Sequence, residues 1–304
     1  MGPLPHSVIG YKRELPPAQA GLCPWTRLRP FCEKGLKNPQ KLSKTRKITM
    51  KLLISGLCGH MGTEVAKLAL AGCRGADPDA TVGVDMNACG AEGMPCAVSF
   101  AAATDPVFTT ADCIVDFSHH SATPSLLDYA VTHNIPVVLA TTGHTAAENE
   151  AIFAASSSIP VFFAANFSLG IALLIDTAKQ VAAAMPEAEI EIIEKHHNRK
   201  LDAPSGTALA IANALCEVRP DAEIITGRNG FGKRAPNDIG IHAVRMGNIV
   251  GEHEVIIGTP NQTITLKHEA HDRALFAEGA LAAAEFLCKG KPAGLYSMTD
   301  LVKA

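Results

Sequence analysis

Residues 51–71 read KLLISGLCGHMGTEVAKLALA, and their reading decides the fold. Lys51–Ser55 is a short apolar run of strand character. Gly56-Leu57-Cys58-Gly59-His60-Met61-Gly62 is a glycine turn, and Thr63–Ala71 has the spacing of a helix. A strand that enters a helix through closely spaced glycines can cradle a pyrophosphate. The glycines allow a tight turn and close backbone approach, and the helix N-terminus offers free N–H groups and the positive end of its dipole. The spacing is G-x-x-G-x-x-G rather than the commoner G-x-G-x-x-G, and such turns also occur without a ligand, so both readings stay open on the turn alone. Asp85 tilts the balance. It ends the next strand, Thr81–Asp85, 23 positions after Gly62. A carboxylate there accepts hydrogen bonds from both ribose hydroxyls of an adenosine; the alternative is a polar residue that merely ends a strand. Turn and acid together favour a dinucleotide fold. An Asp repels a 2′-phosphate and Met86 beside it supplies no cation, so NADH is expected over NADPH, with a protonated His60 as a weak offset.

Outward from this unit, strand and helix alternate. Cys113–Phe117, Pro136–Ala140 and Pro160–Ala164 read as further buried strands, and Thr123–Val131 and Ala146–Ser156 as helices. Short buried strands separated by helices imply parallel βαβ units. After Ser168 the pattern changes. A helical run, Leu169–Met185, leads to a strand, Glu189–Lys195, and a helix, Thr207–Cys216. Then come Ile224–Thr226, a glycine-rich stretch 227–240, and Ile241–Arg245. Glu252–Ile257 and Thr263–Lys267 flank the turn Gly258–Gln262 as an antiparallel hairpin, and an Ala-rich helix, Arg273–Leu287, closes the pattern. The expected architecture is α/β: a Rossmann-like dinucleotide-binding domain, residues 50–167 and 272–304, with a smaller α+β domain with a mixed sheet, residues 168–271, inserted in it.

The chain has 304 residues, 47% hydrophobic and 19% charged, enough apolar side chain to bury a core. Aromatics are only 5% and the net charge is −3, which argues against a nucleic-acid partner. Residues 1–49 stand apart: ten Lys/Arg against two Asp/Glu, many prolines and no apolar period. We read them as a disordered extension or as translation from a start codon placed too early. No run is apolar enough for a membrane span. Nine cysteines without a C-x-x-C pair point to a reducing compartment, a cytoplasmic location, and neither disulfides nor a metal site.

The segment Glu194-Lys195-His196-His197-Asn198-Arg199-Lys200-Leu201-Asp202-Ala203-Pro204-Ser205-Gly206-Thr207-Ala208 is the densest chemistry in the chain. Donor and acid–base groups crowd the end of a strand, and Ser205 is a good N-cap for the helix that follows. A helix N-terminus plus Lys200 can hold a carboxylate, and a neighbouring His can donate a proton near neutral pH. The plainer alternative is a solvated basic turn before an ordinary capped helix. A zinc site is disfavoured, because adjacent His side chains diverge on a strand.

This segment resembles the signature of the 4-hydroxy-tetrahydrodipicolinate (dihydrodipicolinate) reductase family. The resemblance extends over residues 50–304 and includes Gly56–Gly62, Val115–Ser118, Ala140–Gly143, Phe163–Ser168 and Ile249–His253. It implies NAD(P)H-dependent reduction of 4-hydroxy-tetrahydrodipicolinate to tetrahydrodipicolinate in lysine and diaminopimelate synthesis, by a homotetramer whose smaller domain serves substrate binding and assembly. It implies His196 as proton donor with Lys200 as a second donor, and a dicarboxylate substrate bound by His197, Ser205, Gly206 and Thr207. For the cofactor it implies Gly56, Leu57, Cys58, Gly59, His60, Met61, Asp85, Ala140, Thr141, Thr142, Ala164, Ala165, Asn166 and Phe167. Many members carry Arg where His60 and Met86 stand, which again weighs against NADPH. The chemistry requires closure about hinges near Ser168 and Ala270. Two rivals remain: a semialdehyde dehydrogenase with a covalent Cys, for which Cys113 and Cys216 lack an evident His partner, and an NADH-sensing protein without turnover.

Overall fold

Four apolar or small residues in a row bury β1 (Leu52–Ser55) on both faces, as a strand at the centre of a parallel sheet requires. The structure is a computed structural model and describes residues 49–87 and 94–304; the reading of residues 1–48 lies outside the described residues. The chain continues through α1 (His60–Leu70), β2 (Val82–Val84), β3 (Cys96–Ala97), α2 (Pro106–Thr109), β4 (Cys113–Asp116), α3 (Thr123–His133), β5 (Val137–Leu139), α4 (Ala146–Ser156) and β6 (Pro160–Phe163). Next come α5 (Leu169–Ala184), β7 (Glu189–His196), α6 (Gly206–Cys216), β8 (Glu223–Thr226), β9 (Asp238–Arg245), β10 (Gly251–Thr259) and β11 (Gln262–Ala270). The last elements are α7 (Ala274–Cys288), β12 (Gly294–Tyr296) and α8 (Met298–Val302).

The first sheet has the order β12-β6-β5-β4-β1-β2-β3, and every pair in it is parallel. Its first six strands follow the doubly wound order in which the chain reverses direction between β1 and β4, leaving a crevice at the C-terminal ends of those strands. One face packs on α1 and α7 through Val65, Ala69, Ala280 and Phe286; the other packs on α3 and α4 through Leu126, Ala130 and Ile152. The architecture is therefore the expected α/β one, with a Rossmann-like parallel sheet. The second sheet, β11-β10-β7-β9-β8, is mixed: β10 runs antiparallel to β7 and β11, and β9 runs parallel to β7 and β8. α5 and α6 cover one of its faces, where Ile171, Ala178 and Ile211 meet Ile190, Ile192 and Val255.

Several boundaries differ from the expectations. β3 and β12 were not anticipated, because strands of two or three residues at a sheet edge are too short to display a period. α1 begins at His60 instead of Thr63. β9 begins at Asp238, so Gly240 lies inside a strand. A Cβ at Gly240 would overlap the Glu191 carboxylate, so this glycine serves a close approach and not a turn. The hairpin turn shortens to Pro260-Asn261, since Thr259 still pairs with Gln262.

Candidate active site

The glycine turn closes on itself and on β4. Gly56 has φ +77°, where an L side chain is strained, and a Cβ on it would lie 2.7 Å from the Phe117 carbonyl oxygen. A Cβ on Gly62 would overlap the Gly56 carbonyl oxygen. The turn therefore presents bare backbone at the switch point, the cradle that a pyrophosphate needs. Asp85 reaches back to it: Oδ2 accepts the Cys58 N–H at 2.9 Å and Oδ1 the Asn87 N–H at 2.9 Å.

Gly56, Cys58, Gly59 and Asp85 line a cavity of about 430 Å³ with Met86, Phe117 and Ser118. Among the described residues, this lining holds no Lys or Arg. Met86 is 85% exposed beside Asp85. The Leu57 side chain points into the core, and only its backbone belongs to the turn. His60 is exposed at the start of α1. Cys58 is disulfide-bonded, which corrects the expectation of a chain without disulfides; the count and spacing of the cysteines carry no signal for a single bridge. Cys73, Cys96, Cys113, Cys216 and Cys288 are free thiols.

A second cavity, about 690 Å³, lies between the two sheets. From the first sheet it takes Met61, Ala140, Thr142, Ala165, Asn166 and Phe167. From the second part of the chain it takes His196, Lys200, Ser205, Gly206 and Thr207. Phe117 borders both cavities, so one wall at the end of β4 joins them. Two expected residues stand back from the opening. Thr141 donates its hydroxyl to the buried Asp116 Oδ2 at 2.6 Å, and Ala164 packs against the core. Asp116 also accepts the Ser118 hydroxyl at 2.6 Å, so one buried carboxylate ties together the loops after β4 and β5. Asn166 Nδ2 donates to Thr207 Oγ1 at 3.1 Å, a direct link between the loop after β6 and the start of α6.

His196 ends β7 and is 8% exposed. Strand alternation puts Ile190, Ile192, Glu194 and His196 on one buried face. His196 Nδ1 lies 2.5 Å from Glu194 Oε2. Glu194 also accepts both terminal nitrogens of Arg245, at 2.7 and 2.8 Å, and the Ser205 N–H at 3.0 Å. Burial pushes the Glu194 carboxyl up, but the bonds from Arg245, His196 and Ser205 outweigh it and hold the group below the usual carboxylate range. His253 stacks edge-on against His196 with centroids 5.2 Å apart, and burial pulls its pKa down to about 4, aided by the His196 charge. Lys200 Nζ pairs with Asp202 Oδ1 at 2.8 Å, and this bond lowers the Asp202 carboxyl. Ser205 caps α6 by accepting the Ala208 N–H at 3.2 Å, and the Gly206 N–H at the start of the helix donates to the Asp202 carboxylate beside the cavity. His197 is not among the residues that line this cavity; its backbone N–H donates to Ile249 O at 2.8 Å, and burial followed by the Arg199 charge lowers its pKa.

Sequence reasoning placed Asp116, Phe117, Glu194 and His253 in the quoted motifs but assigned them no role, and it did not single out Arg245. Alternation along β7 carried a signal for Glu194, since it places an acid on the buried face beside His196. Arg245 and His253 come from other strands, and only sheet registry brings them in. No group of three or more His, Cys, Asp or Glu suited to a metal occurs among the described residues.

The profile described as "Dihydrodipicolinate reductase, N-terminus" matches residues 50–167, and "Dihydrodipicolinate reductase, C-terminus" matches residues 170–302. A 4-hydroxy-tetrahydrodipicolinate reductase of Caldanaerobacter subterraneus subsp. tengcongensis is 46% identical over 256 residues, covering 84% of this chain and 98% of the relative. The protein of the same name from Alkaliphilus metalliredigens is 42% identical over 258 residues, covering 83% and 99%. Among solved structures, the dipicolinate-bound dihydrodipicolinate reductase from Paenisporosarcina sp. TG-14 superposes with a TM-score of 0.67 at 23% identity, covering 82% of this chain and 98% of that one.

Proposed function

The chain belongs to the dihydrodipicolinate reductase family, and from that premise we propose that it reduces 4-hydroxy-tetrahydrodipicolinate to tetrahydrodipicolinate in lysine and diaminopimelate synthesis, with NADH preferred over NADPH and His196 as proton donor. The observation that carries this reading is the 690 Å³ cavity, in which Met61, Ala140, Thr142 and Asn166 face His196, Lys200 and Thr207.

The cofactor residues fit a dinucleotide, since the glycines leave a cradle that a Cβ would fill and Asp85 closes its ribose end. When bound, the nicotinamide supplies the hydride. The start of α6 at Gly206 and Thr207 and the Lys200 ammonium would hold a substrate carboxylate in place of the Asp202 carboxylate that both Gly206 N–H and Lys200 bond here, with Ser205 shaping the helix start. His196 gives a proton to the position that becomes electron-rich beside the ring nitrogen, and Lys200 assists. Asp85 with no neighbouring Lys or Arg in the described lining favours NADH, because a 2′-phosphate would meet an anion.

We assign residues 50–167 and 272–304 to cofactor binding and 168–271 to substrate binding and assembly. Closure would turn near Ser168 and Ala270. The homotetramer that the family resemblance implies would assemble through the face of the second sheet opposite α5 and α6. There Lys195, Glu252, Lys267 and Glu269 form a chain of ion pairs. No described helix is long and apolar enough to cross a membrane, and a cytoplasmic site goes with a nicotinamide-dependent biosynthetic step.

The test is nicotinamide absorbance with purified protein, pyruvate, aspartate semialdehyde and the upstream synthase, with NADH and NADPH in parallel. Synthase-dependent oxidation, faster with NADH, is expected. His196→Ala should lower turnover by at least about a hundredfold, as loss of a general acid does, with NADH affinity unchanged. Oxidation surviving in that variant would remove His196 from the donor role. NADH binding without any oxidation would leave a sensor.

A further inference from the structure

Glu194 is a fully buried carboxylate that meets four donors. We propose that Glu194 is the positioning residue of the proton donor: it holds His196 as the Nδ1–H tautomer, leaves Nε2 toward the cavity, and ties the ring to the first turn of α6. This rests on the reading of His196 as donor.

The argument starts from hydrogen-bond capacity. An ionised carboxylate only accepts, so the ring nitrogen 2.5 Å from Oε2 carries a hydrogen. Arg245 keeps the carboxylate ionised through two parallel bonds, a geometry that also fixes its plane. Arg245 in turn donates to the carbonyl oxygens of Val244 and Asp202, so the clamp is anchored in β9 and in the loop before α6. The other carboxylate oxygen accepts the N–H of Ser205, the N-cap of α6. One side chain therefore sets the donor and the carboxylate-binding helix end in a common frame.

The far side of the ring is kept clear. A Cβ on Gly251 would lie 3.1 Å from His196 Nε2, so a side chain there would crowd the nitrogen that must meet substrate. His253 closes the remaining flank edge-on. Among the described residues, the titratable and charged groups around His196 are then Glu194 on its own strand, Arg245 on β9, His253 on β10, His268 on β11, and His197, Lys200 and Asp202 on the loop. Of these, Glu194 bonds Nδ1.

The test uses the full chain labelled with ¹⁵N-histidine, with His196→Asn assigning the ring. Neutral wild-type His196 should carry its hydrogen on Nδ1. In Glu194→Gln, Oε1 can still accept Ser205 N–H and Arg245 Nη2, while an NH₂ in place of Oε2 gives up the bond from Arg245 Nη1, faces Nδ1 and forces a lone pair there. The expected result is a switch to the Nε2–H tautomer, a fall in kcat of at least about tenfold, and a substrate KM within about threefold of wild type. If Glu194→Gln fails to fold, the wild-type tautomer and Arg245→Lys still decide the matter. Arg245→Lys keeps the charge but loses the parallel pair, and should lower kcat less than Glu194→Gln with Nδ1–H retained. A wild-type ring protonated on Nε2, or a Glu194→Gln enzyme with unchanged kcat, overturns the proposal. Survival of turnover in His196→Ala would instead sink the donor reading, and the tautomer result would stand apart from it.

Discussion

Asp85 works in two directions. Its carboxylate lines the cavity at the glycine turn, proposed to hold the cofactor, and its Oδ2 accepts the Cys58 N–H of that turn. The two roles can be separated. Asp85→Asn keeps a carbonyl acceptor for Cys58 and removes the charge that opposes a 2′-phosphate. The ratio of kcat/KM for NADPH over NADH should rise by about fivefold or more, a gain of roughly 1 kcal/mol in relative transition-state stability. Parallel steady-state assays read it directly, and an unchanged ratio would mean that Asp85 does not set the choice. His196 depends on neighbours in another way. Its candidacy was readable from the segment in which it stands, but the groups around it were not. Arg245 lies 49 positions away along the chain and arrives only because β7 and β9 pair with His196 opposite Arg245.

At the scale of elements, α7 controls the active-site loop without touching a reacting group. Its Gly279 lies under the loop after β6, and a Cβ there would overlap the Phe167 carbonyl oxygen. That loop carries Asn166, which bonds Thr207 at the start of α6. Gly279→Ala should therefore destabilise the fold by about 1–3 kcal/mol, the range for overpacking a tight contact, and lower turnover by displacing Asn166. Chemical denaturation measures the first effect and the coupled assay the second. Wild-type values for both would show that the helix can shift without cost. The same packing explains why α7 reads as apolar nearly all round: it packs on the first sheet, beside α1 and under the loop after β6, with Ala277, Ala280, Leu281 and Ala284 all buried.

At the scale of the whole molecule, buried ionisable groups beneath the site make stability depend on pH. His253 has a folded pKa of about 4 against an ordinary 6.5, because burial disfavours its charged form. As pH falls below about 6.5, the unfolded chain takes up this proton before the folded one, so stability is lost until about pH 4 is passed. Glu194, held below its ordinary value, adds stability above the carboxylate range that is lost as pH falls through its lowered pKa. Both effects have the same sign. Tm should fall steadily from pH 7 to pH 4, and His253→Asn should flatten the upper part of that fall. A Tm independent of pH in this window would mean that His253 is not buried neutral in solution.

The sequence by itself determined the parallel βαβ character of the first sheet, the glycine turn that enters α1, and the crowding of donor and acid–base groups at residues 194–208. These follow from local rules: strand and helix periods, glycine conformation and N-caps act over a few residues. The reach of Glu194, Arg245 and His253 to one imidazole, the wall at Phe117 shared by two cavities, and the short edge strands β3 and β12 were decided only by the tertiary structure. Each depends on registry between segments distant in the chain. That registry is set by packing of whole sheets and helices, which leaves no local pattern in the residues that it brings together.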